Sequence, residues 1–385
     1  GLEGEHVAYT NPGHGRIPER SVEGDYVMIP TYSIASSVDY LLRYAREARA
    51  ARLVEQPIPT PQENEVLLRV SHCGICGSDL HAWLNHKGYE SVLPEVTFGH
   101  EFSATVIDTG SAVSNWKTDD QAVMIALQTH HDNNDPYCRI GLPQLSSRRR
   151  VQGLHLDGGM AEYVCVEEEF LLPIPEGLDL ELAALTEPLS VAEHCIGNRT
   201  SIGPGDQVII SGPGIIGLLC AISARSRGAE VIISGTEQDE STRLSAARTI
   251  GFETLVVGPD QPPLHEQITA YFPDGADALV EASGAVPALA DAWQSVHANG
   301  TVTAVALYSR TIDFDLTQFL RKQIDLRTSY ASSRDDYLRA FKLLQDGAVD
   351  NSVLTQSYSL EDAEQGFIDS ENLIVTKVLL DCSSV

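Results

Sequence analysis

The alternation of apolar and polar positions divides the chain into two regions of different character. Residues 1 to 38 hold no helical or strand period of useful length, and Asn11-Pro12-Gly13-His14-Gly15 breaks any that begins, so this stretch reads as an N-terminal extension. From Tyr40 to Val70 short apolar runs are punctuated by Pro57, Pro59 and Pro61, and Glu65 to Val70 alternates as a half-buried strand does. Phe102 to Asp108, Gln121 to Ala126 and Met160 to Val166 continue a β-rich region. After about residue 190 the period changes: Val208 to Ser211 predicts a buried strand, Ile215 to Arg227 a helix, and Val231 to Ser234 a second buried strand. Thr254 to Val257, Ala278 to Glu281 and Val302 to Leu307 repeat the alternation, which predicts a parallel sheet with helices on both faces. A helical stretch from Asp336 and a strand from Ile374 to Leu380 close the chain. The expected class is α/β, a β-rich domain followed by a doubly wound parallel sheet.

Composition narrows the partners. The 385 residues suit two domains, and no apolar run reaches the roughly 18 residues of a membrane span. A formal charge of −28 repels phosphate at long range, so neither nucleic acid nor an anionic membrane is an expected partner. Seven scattered cysteines form no disulfide framework, and the N-terminus has no basic segment leading into an apolar one, so a reducing cytoplasmic setting is expected.

Gly212-Pro-Gly214-Ile215-Ile216-Gly217 falls between a predicted strand and a predicted helix. Glycines there allow a tight turn and close approach to a pyrophosphate, which the helix N-terminus then faces. Alone this pattern is only a tight turn; the βαβ context makes it a dinucleotide site. The position that usually carries an acidic residue for the ribose 2′-hydroxyl is Gly235, followed by Thr236, and Arg243 lies within reach of a 2′-phosphate. Glu237 and Asp239 argue the other way, so the cofactor is NADP or NAD, with NADP slightly favoured.

Chemistry of another kind collects earlier in the chain. His72-Cys-Gly-Ile-Cys-Gly-Ser-Asp-Leu-His81 is followed by Gly99-His-Glu101 and by Thr186-Glu-Pro-Leu-Ser190. Zinc accepts thiolate, imidazole and carboxylate together, and a catalytic site needs three protein ligands and one open position. Cys76 and His100 with Glu101 or Glu187 supply that set. Singly, each has a plainer meaning: a buried thiol, a redox CxxC of Cys73 and Cys76, a surface His-Glu pair. Their joint occurrence upstream of a dinucleotide fold favours the metal.

Over residues 40 to 381 the sequence resembles the medium-chain zinc-dependent alcohol dehydrogenases, in particular the sorbitol and threonine dehydrogenase branch. The marks are CGICGSD at 73–79, GHE at 99–101, DGGMAEY at 157–163, EPLSVAEH at 187–194 and GPGIIG at 212–217. The resemblance implies a GroES-like catalytic domain over 39–192, a Rossmann domain over 193–330 and a return to the catalytic domain over 331–385. It implies that Cys76 and His100 ligate zinc, with Glu101 and Glu187 as carboxylates at the metal. Ser78 would bind the substrate oxygen, Asp79 would stand behind the ligand histidine, and His81 would pass a proton towards solvent. Glu281 and Ser283-Gly284 would lie beside the nicotinamide. The implied reaction moves a hydride between a secondary alcohol or polyol, or the matching ketone, and NAD(P).

The chain departs from that family in one lobe. Many members hold a structural zinc with four cysteines ahead of the DGG motif, whereas Cys138 is the only cysteine here, within His130-His-Asp-Asn-Asn-Asp-Pro-Tyr-Cys138. A polar loop without structural zinc is expected, leaving one catalytic zinc. Arg148-Arg149-Arg150 reads as a solvated charge run, with an anionic substrate or an acidic partner face as the alternative. Ala82, Trp83, Tyr137 and the Tyr308-Ser-Arg310 turn are candidates to line the substrate pocket. A homo-oligomer, dimer or tetramer, is expected. Two other readings stay open: a zinc-free NADPH-dependent reductase of the same fold, and a nicotinamide-binding protein without turnover.

Overall fold

The computed structural model describes residues 38–44, 48–49, 51–308, 310–313 and 315–383. The extension expected over residues 1–38 lies, apart from Val38, outside the described residues. Val38–Tyr44 and Ala51–Pro57 pair as an antiparallel hairpin. Beyond it, strands from both ends of the chain build a sheet in the order Thr355–Ser359, Lys377–Asp381, Glu65–Gly74, Phe102–Thr109, Gln121–Met124, Leu171–Pro173, with Tyr163–Glu167 also paired to Glu65–Gly74. The C-terminal strand thus docks beside the strand that leads into Cys76, with Leu380 opposite Cys73.

The expected strand from Met160 begins only at Tyr163. Upstream, Gly158, Gly159 and Met160 donate backbone hydrogen bonds to Thr97, Gly99 and Phe98. A Cβ on Gly158 would lie 2.1 Å from the Gly99 carbonyl, and one on Gly159 2.2 Å from the Phe102 ring. The two glycines therefore let the chain cross directly over Gly99-His100-Glu101 and clamp it. This crossing is why the segment is not a strand.

The second sheet has six parallel strands in the order Glu253–Val257, Glu230–Thr236, Gln207–Ser211, Ala276–Glu281, Val296–Ala304, Asp325–Thr328. In chain order that is 3-2-1-4-5-6, the doubly wound arrangement. Val208, Ile209 and Ile210 are fully buried, as a strand covered on both faces must be. The strand expected at Val302–Leu307 instead runs from Val296 to Ala304, because the chain leaves the sheet once Val305 N–H bonds the Glu281 carbonyl. The helix Ile215–Ser226 follows the first strand.

A wide π-helical turn, His194–Thr200, continues the helix Thr186–Glu193 and ends at Ser201 with φ +66°. The helix Arg334–Gln345 packs against Thr186–Glu193, and the Tyr337 hydroxyl accepts from the Ala126 N–H at 3.0 Å. Tyr337 thereby ties the C-terminal helix to the β-rich sheet. Among the described residues no helix is long and apolar enough to cross a membrane.

Candidate active site

Cys76 sits at the start of the short helix Gly77–Trp83, held there because its N–H donates to Asp79 Oδ2 at 3.0 Å. Asp79 is fully buried and turns its other oxygen, Oδ1, to 3.4 Å from His100 Nδ1. That separation is too long for a good hydrogen bond, and both atoms are buried without another partner. On the opposite side of the ring, His100 Nε2 is 3.3 Å from the Ser78 hydroxyl. Burial opposes a charge on His100, but Asp79 and Cys76 outweigh it and hold the imidazole well above its ordinary pKa. A site that draws a proton onto buried imidazole in this way offers a cation the same attraction.

Glu101 and Lys377 are both buried and form an ion pair; the lysine also donates to the Ile75 carbonyl at 2.8 Å. Burial works against the ammonium, yet Glu101 and Cys76 keep the pKa of Lys377 above the ordinary value. Cys76, His100 and Glu101 each offer a donor atom within 4.8 Å of the other two. Glu187 lies in the first turn of the helix Thr186–Glu193, buried, and its pKa is raised to about 8 by burial and by the Glu101 charge. The residues fit a metal such as zinc: a thiolate, an imidazole and a carboxylate converge, and a buried imidazole nitrogen and carboxylate oxygen stand behind them unbonded.

His81 lies in the last turn of the same short helix. Its Nδ1 is 2.8 Å from Nδ1 of His86, and its ring stacks on Tyr89 at 5.6 Å. Burial, then the nearby His86, lowers the His81 pKa. Tyr89 is half-buried, and its hydroxyl is pushed up to about 12 by burial and by Cys76 and Asp79. Ala82 and Trp83, candidates for the pocket wall, are instead core residues: Trp83 is 1% exposed and packs its ring on Phe367 at 5.3 Å. On this helix, where His81 turns to His86 and Tyr89, the next two positions rotate away into the core.

The dinucleotide turn joins strand and helix as expected. Gly212 has φ +104°, and a Cβ on Gly217 would lie 1.9 Å from the Gly212 carbonyl. Across the switch point of the sheet, a Cβ on Gly212 would also collide with the Ser283 backbone. Gly214 precedes Ile215 and Ile216 at the helix N-terminus. Glu281 is wholly buried at its strand end, where it accepts from the N–H of Ser283 at 2.8 Å and Gly284 at 3.2 Å and from the Ser283 and Tyr308 hydroxyls. The carboxylate therefore shapes the turn over the cleft. Tyr308 is held by it, and Ser309 lies outside the described residues.

At the ribose end, a Cβ on Gly235 would fall 2.7 Å from Pro213 Cγ, so the residue in the glycine turn that presses on this strand excludes an acidic side chain. Thr236 donates its N–H and hydroxyl to Asp239 at 3.0 and 2.9 Å, and Arg243 approaches Asp239 at 3.6 Å.

Two family descriptions match: "Alcohol dehydrogenase GroES-like domain" over residues 62–176 and "Zinc-binding dehydrogenase" over residues 216–346. A sorbitol dehydrogenase of Halalkalibacterium halodurans is 33% identical over 85% of this chain and 94% of its own length. The chain belongs to the medium-chain zinc-dependent alcohol dehydrogenases. A D-arabitol-phosphate dehydrogenase of Enterococcus avium is 30% identical over 82% of this chain and 89% of its own. A crystal structure described as a zinc-binding dehydrogenase of Sinorhizobium meliloti bound to NADP superposes with a TM-score of 0.81 at 28% identity, over 90% of this chain and all of that one. This dehydrogenase is accordingly an NAD(P)-dependent oxidoreductase of alcohols with the GroES-like and Rossmann folds.

Sequence reasoning passed over three groups in the site. Lys377 is 276 positions from Glu101, and its one local signal is a lone cation opening an apolar strand. His86 and Tyr89 lie in a turn with no period to point to them. The arginine run is divided by the fold: Arg148 binds Asp132 and Asp135, Arg150 lies 3.7 Å from Glu167, and Arg149 stacks over Tyr330 at 5.5 Å.

Proposed function

We propose that the enzyme oxidises a polyol or other secondary alcohol with NADP, or reduces the matching ketone, at a single metal held by Cys76, His100 and Glu101. The observation that carries this is the convergence of those three donors within 4.8 Å, with the Asp79 carboxylate set behind the His100 ring. Lys377 pairs with Glu101 and would steady that carboxylate for the metal, and Glu187, buried near Glu101, would be a second carboxylate at the site. Zinc bound there supplies Lewis acidity that lowers the pKa of an alcohol oxygen. Ser78 would orient the substrate hydroxyl and accept its proton as the Ser78 O–H proton passes on towards His81, which would carry it outward. Gly212, Gly214, Ile215, Ile216 and Gly217 cradle the pyrophosphate, while Ser283, fixed by Glu281, borders the nicotinamide. Residues 39–192 with 331–385 form the catalytic domain and 193–330 the cofactor domain, so the hydride crosses the cleft between them.

NADP is favoured because Gly235 leaves no carboxylate to repel a 2′-phosphate, and Arg243 stands one turn away. The NADP-bound relative supports the same choice. No structural metal is proposed. In the lobe before the DGG motif, Arg148 bridges Asp132 at 2.8 Å and Asp135 at 3.1 Å, and Ser146 donates to Asp135 at 2.6 Å, which supplies the cross-link a metal would otherwise give.

The test joins metal analysis with turnover. One zinc per chain is expected, with NADP-dependent oxidation of sorbitol or arabitol phosphate lost on chelation and a higher kcat/KM for NADP than for NAD. Two metals per chain would overturn the lobe assignment. Full turnover without metal would leave the zinc-free reductase, and cofactor binding with no turnover on either polyol would leave a binding protein. A strong preference for NAD would overturn the reading of Gly235.

A further inference from the structure

The segment His81-Ala-Trp-Leu-Asn-His86 folds back on itself. The His86 N–H donates to the His81 carbonyl at 3.0 Å and the Tyr89 N–H to the His86 carbonyl at 3.3 Å, so backbone bonds fix the turn. The turn sets three rings in a row: His81 against His86 with centroids 5.1 Å apart, and His81 stacked on Tyr89. His81 is half-buried, whereas His86 is exposed. Two ring nitrogens 2.8 Å apart share one proton, one acting as donor and the other as acceptor. Nδ1 of His81 is thereby committed to His86, and Nε2 is the nitrogen left for the active-site side.

We propose that His86 is the outer member of the proton path, acting through His81 and handing the substrate's proton to water. This rests on the reading of His81 as the relay. In the oxidation direction a proton arriving from the substrate side forms an N–H bond at His81 Nε2. The His81 Nδ1–H bond then breaks as that proton moves to His86 Nδ1, and the His86 Nε2–H proton leaves to solvent. One proton enters, one leaves, and no electrons move. Ketone reduction runs the same path inward. The stacked Tyr89, whose hydroxyl stays protonated throughout the working range, walls the pair without competing for the proton. His86 is a positioning residue in this scheme, touching neither substrate nor cofactor.

Two experiments test it. In the full chain without substrate, imidazole ¹⁵N NMR is expected to show the Nδ1 atoms of His81 and His86 as a donor and acceptor coupled across one shared proton, a signal that His86→Gln abolishes. Absence of that coupling in the wild type overturns the proposal. In a stopped-flow turnover with sorbitol, NADP and a pH indicator, His86→Gln is expected to slow proton release about tenfold, less than a whole acid-base catalyst contributes because water bypasses part of the path. Free imidazole should restore the rate, while zinc content and cofactor affinity stay at wild-type values. A structural lesion would not respond to imidazole. Wild-type proton release in His86→Gln alongside slow release in His81→Gln overturns the role of His86 alone. Wild-type release in both removes the reading of His81 and this proposal with it.

Discussion

The cluster around His100 and the lobe over residues 130–150 are built from the same residue types, histidine, cysteine and aspartate, yet they end in opposite states. In the lobe the carboxylates are answered from within: Asp135 accepts from Ser146, from the N–H of Tyr137 at 2.8 Å and Cys138 at 3.3 Å, and from Arg148. His130 lies 2.8 Å from Glu167 and 3.1 Å from Glu169, a donor group that also converges within 4.8 Å but is largely exposed. Around His100 the donors, buried His100 and Glu101 with half-buried Cys76, converge on one another, and His100 Nδ1 has only Asp79 Oδ1, at 3.4 Å, beside it among the described residues. Gathering buried polar donors at one point costs free energy unless a cation answers them, so such a cluster persists where a metal would complete it. What separates a metal site from a polar loop is therefore whether the donors are satisfied by the chain itself, rather than which residues are present.

The largest effect expected from this contrast is at the metal donors. Cys76→Ala or His100→Ala should remove zinc and lower kcat/KM by at least about 10³-fold, since Lewis-acid stabilisation is worth several kcal/mol and each 1.4 kcal/mol is about tenfold. NADPH affinity, measured by fluorescence titration, should stay within a factor of about two, because the dinucleotide turn is on the other sheet. The matching change in the lobe, Cys138→Ala, should leave metal content and turnover unchanged. Loss of metal in Cys138→Ala would erase the distinction between the two regions.

Next in size is the buried pair behind the site. Lys377→Met leaves the Glu101 carboxylate buried without its cation, and breaking such a pair by removing one partner costs about 3–5 kcal/mol. The urea midpoint of the metal-free protein should fall accordingly, and added zinc should recover part of the loss by neutralising Glu101. If the midpoint does not move, the pair is not holding the site, and the role of Lys377 in steadying Glu101 for the metal fails with it.

The difference between the regions also explains what the sequence disclosed. The strand-turn-helix around Gly212, the parallel strands and the candidate set of Cys76 and His100 with Glu101 or Glu187 are local patterns: a period, a glycine spacing, a ligand placed where a strand ends. The order of the six strands, and the sixth strand itself, Asp325–Thr328, come from the fold alone. Lys377 was illegible because its partner is nearly the whole chain away, and a contact between a C-terminal strand and the GHE segment has no local signature. The sequence left Glu101 and Glu187 as alternatives, and the distances that group Glu101 with Cys76 and His100 support the proposal for Glu101. The strand expected at Met160 failed because two glycines serve a chain crossing, an interaction that alternation does not register. Trp83 was misplaced because adjacency in sequence to His81 was taken for adjacency in space. In the lobe, the run of three arginines looked uniform, but only the fold shows Arg148 turned onto two aspartates.

The smallest expected effect concerns that arginine. Asp135 is held at about 2, first by the Ser146 hydroxyl, then by the Tyr137 and Cys138 N–H groups and Arg148. Its folded pKa lies below the unfolded value of about 3.9, so its contribution is fully present above about pH 4 and is lost as pH falls through about 2. Arg148→Met removes the cation but leaves the hydroxyl and backbone donors, so the lobe should loosen rather than unfold. At neutral pH, amide exchange at Tyr137 and Cys138 should quicken about fivefold, the scale of one net hydrogen bond, while zinc content and kcat stay unchanged. Lowering the pH from about 4 towards 2 should close the gap between variant and wild type, because protonated Asp135 loses its pairing with Arg148 in the wild type, a pairing that the variant already lacks. A gap that persists at the acidic end would mean that Arg148 supports the lobe through packing, and that its bond to Asp135 is not what replaces a metal there.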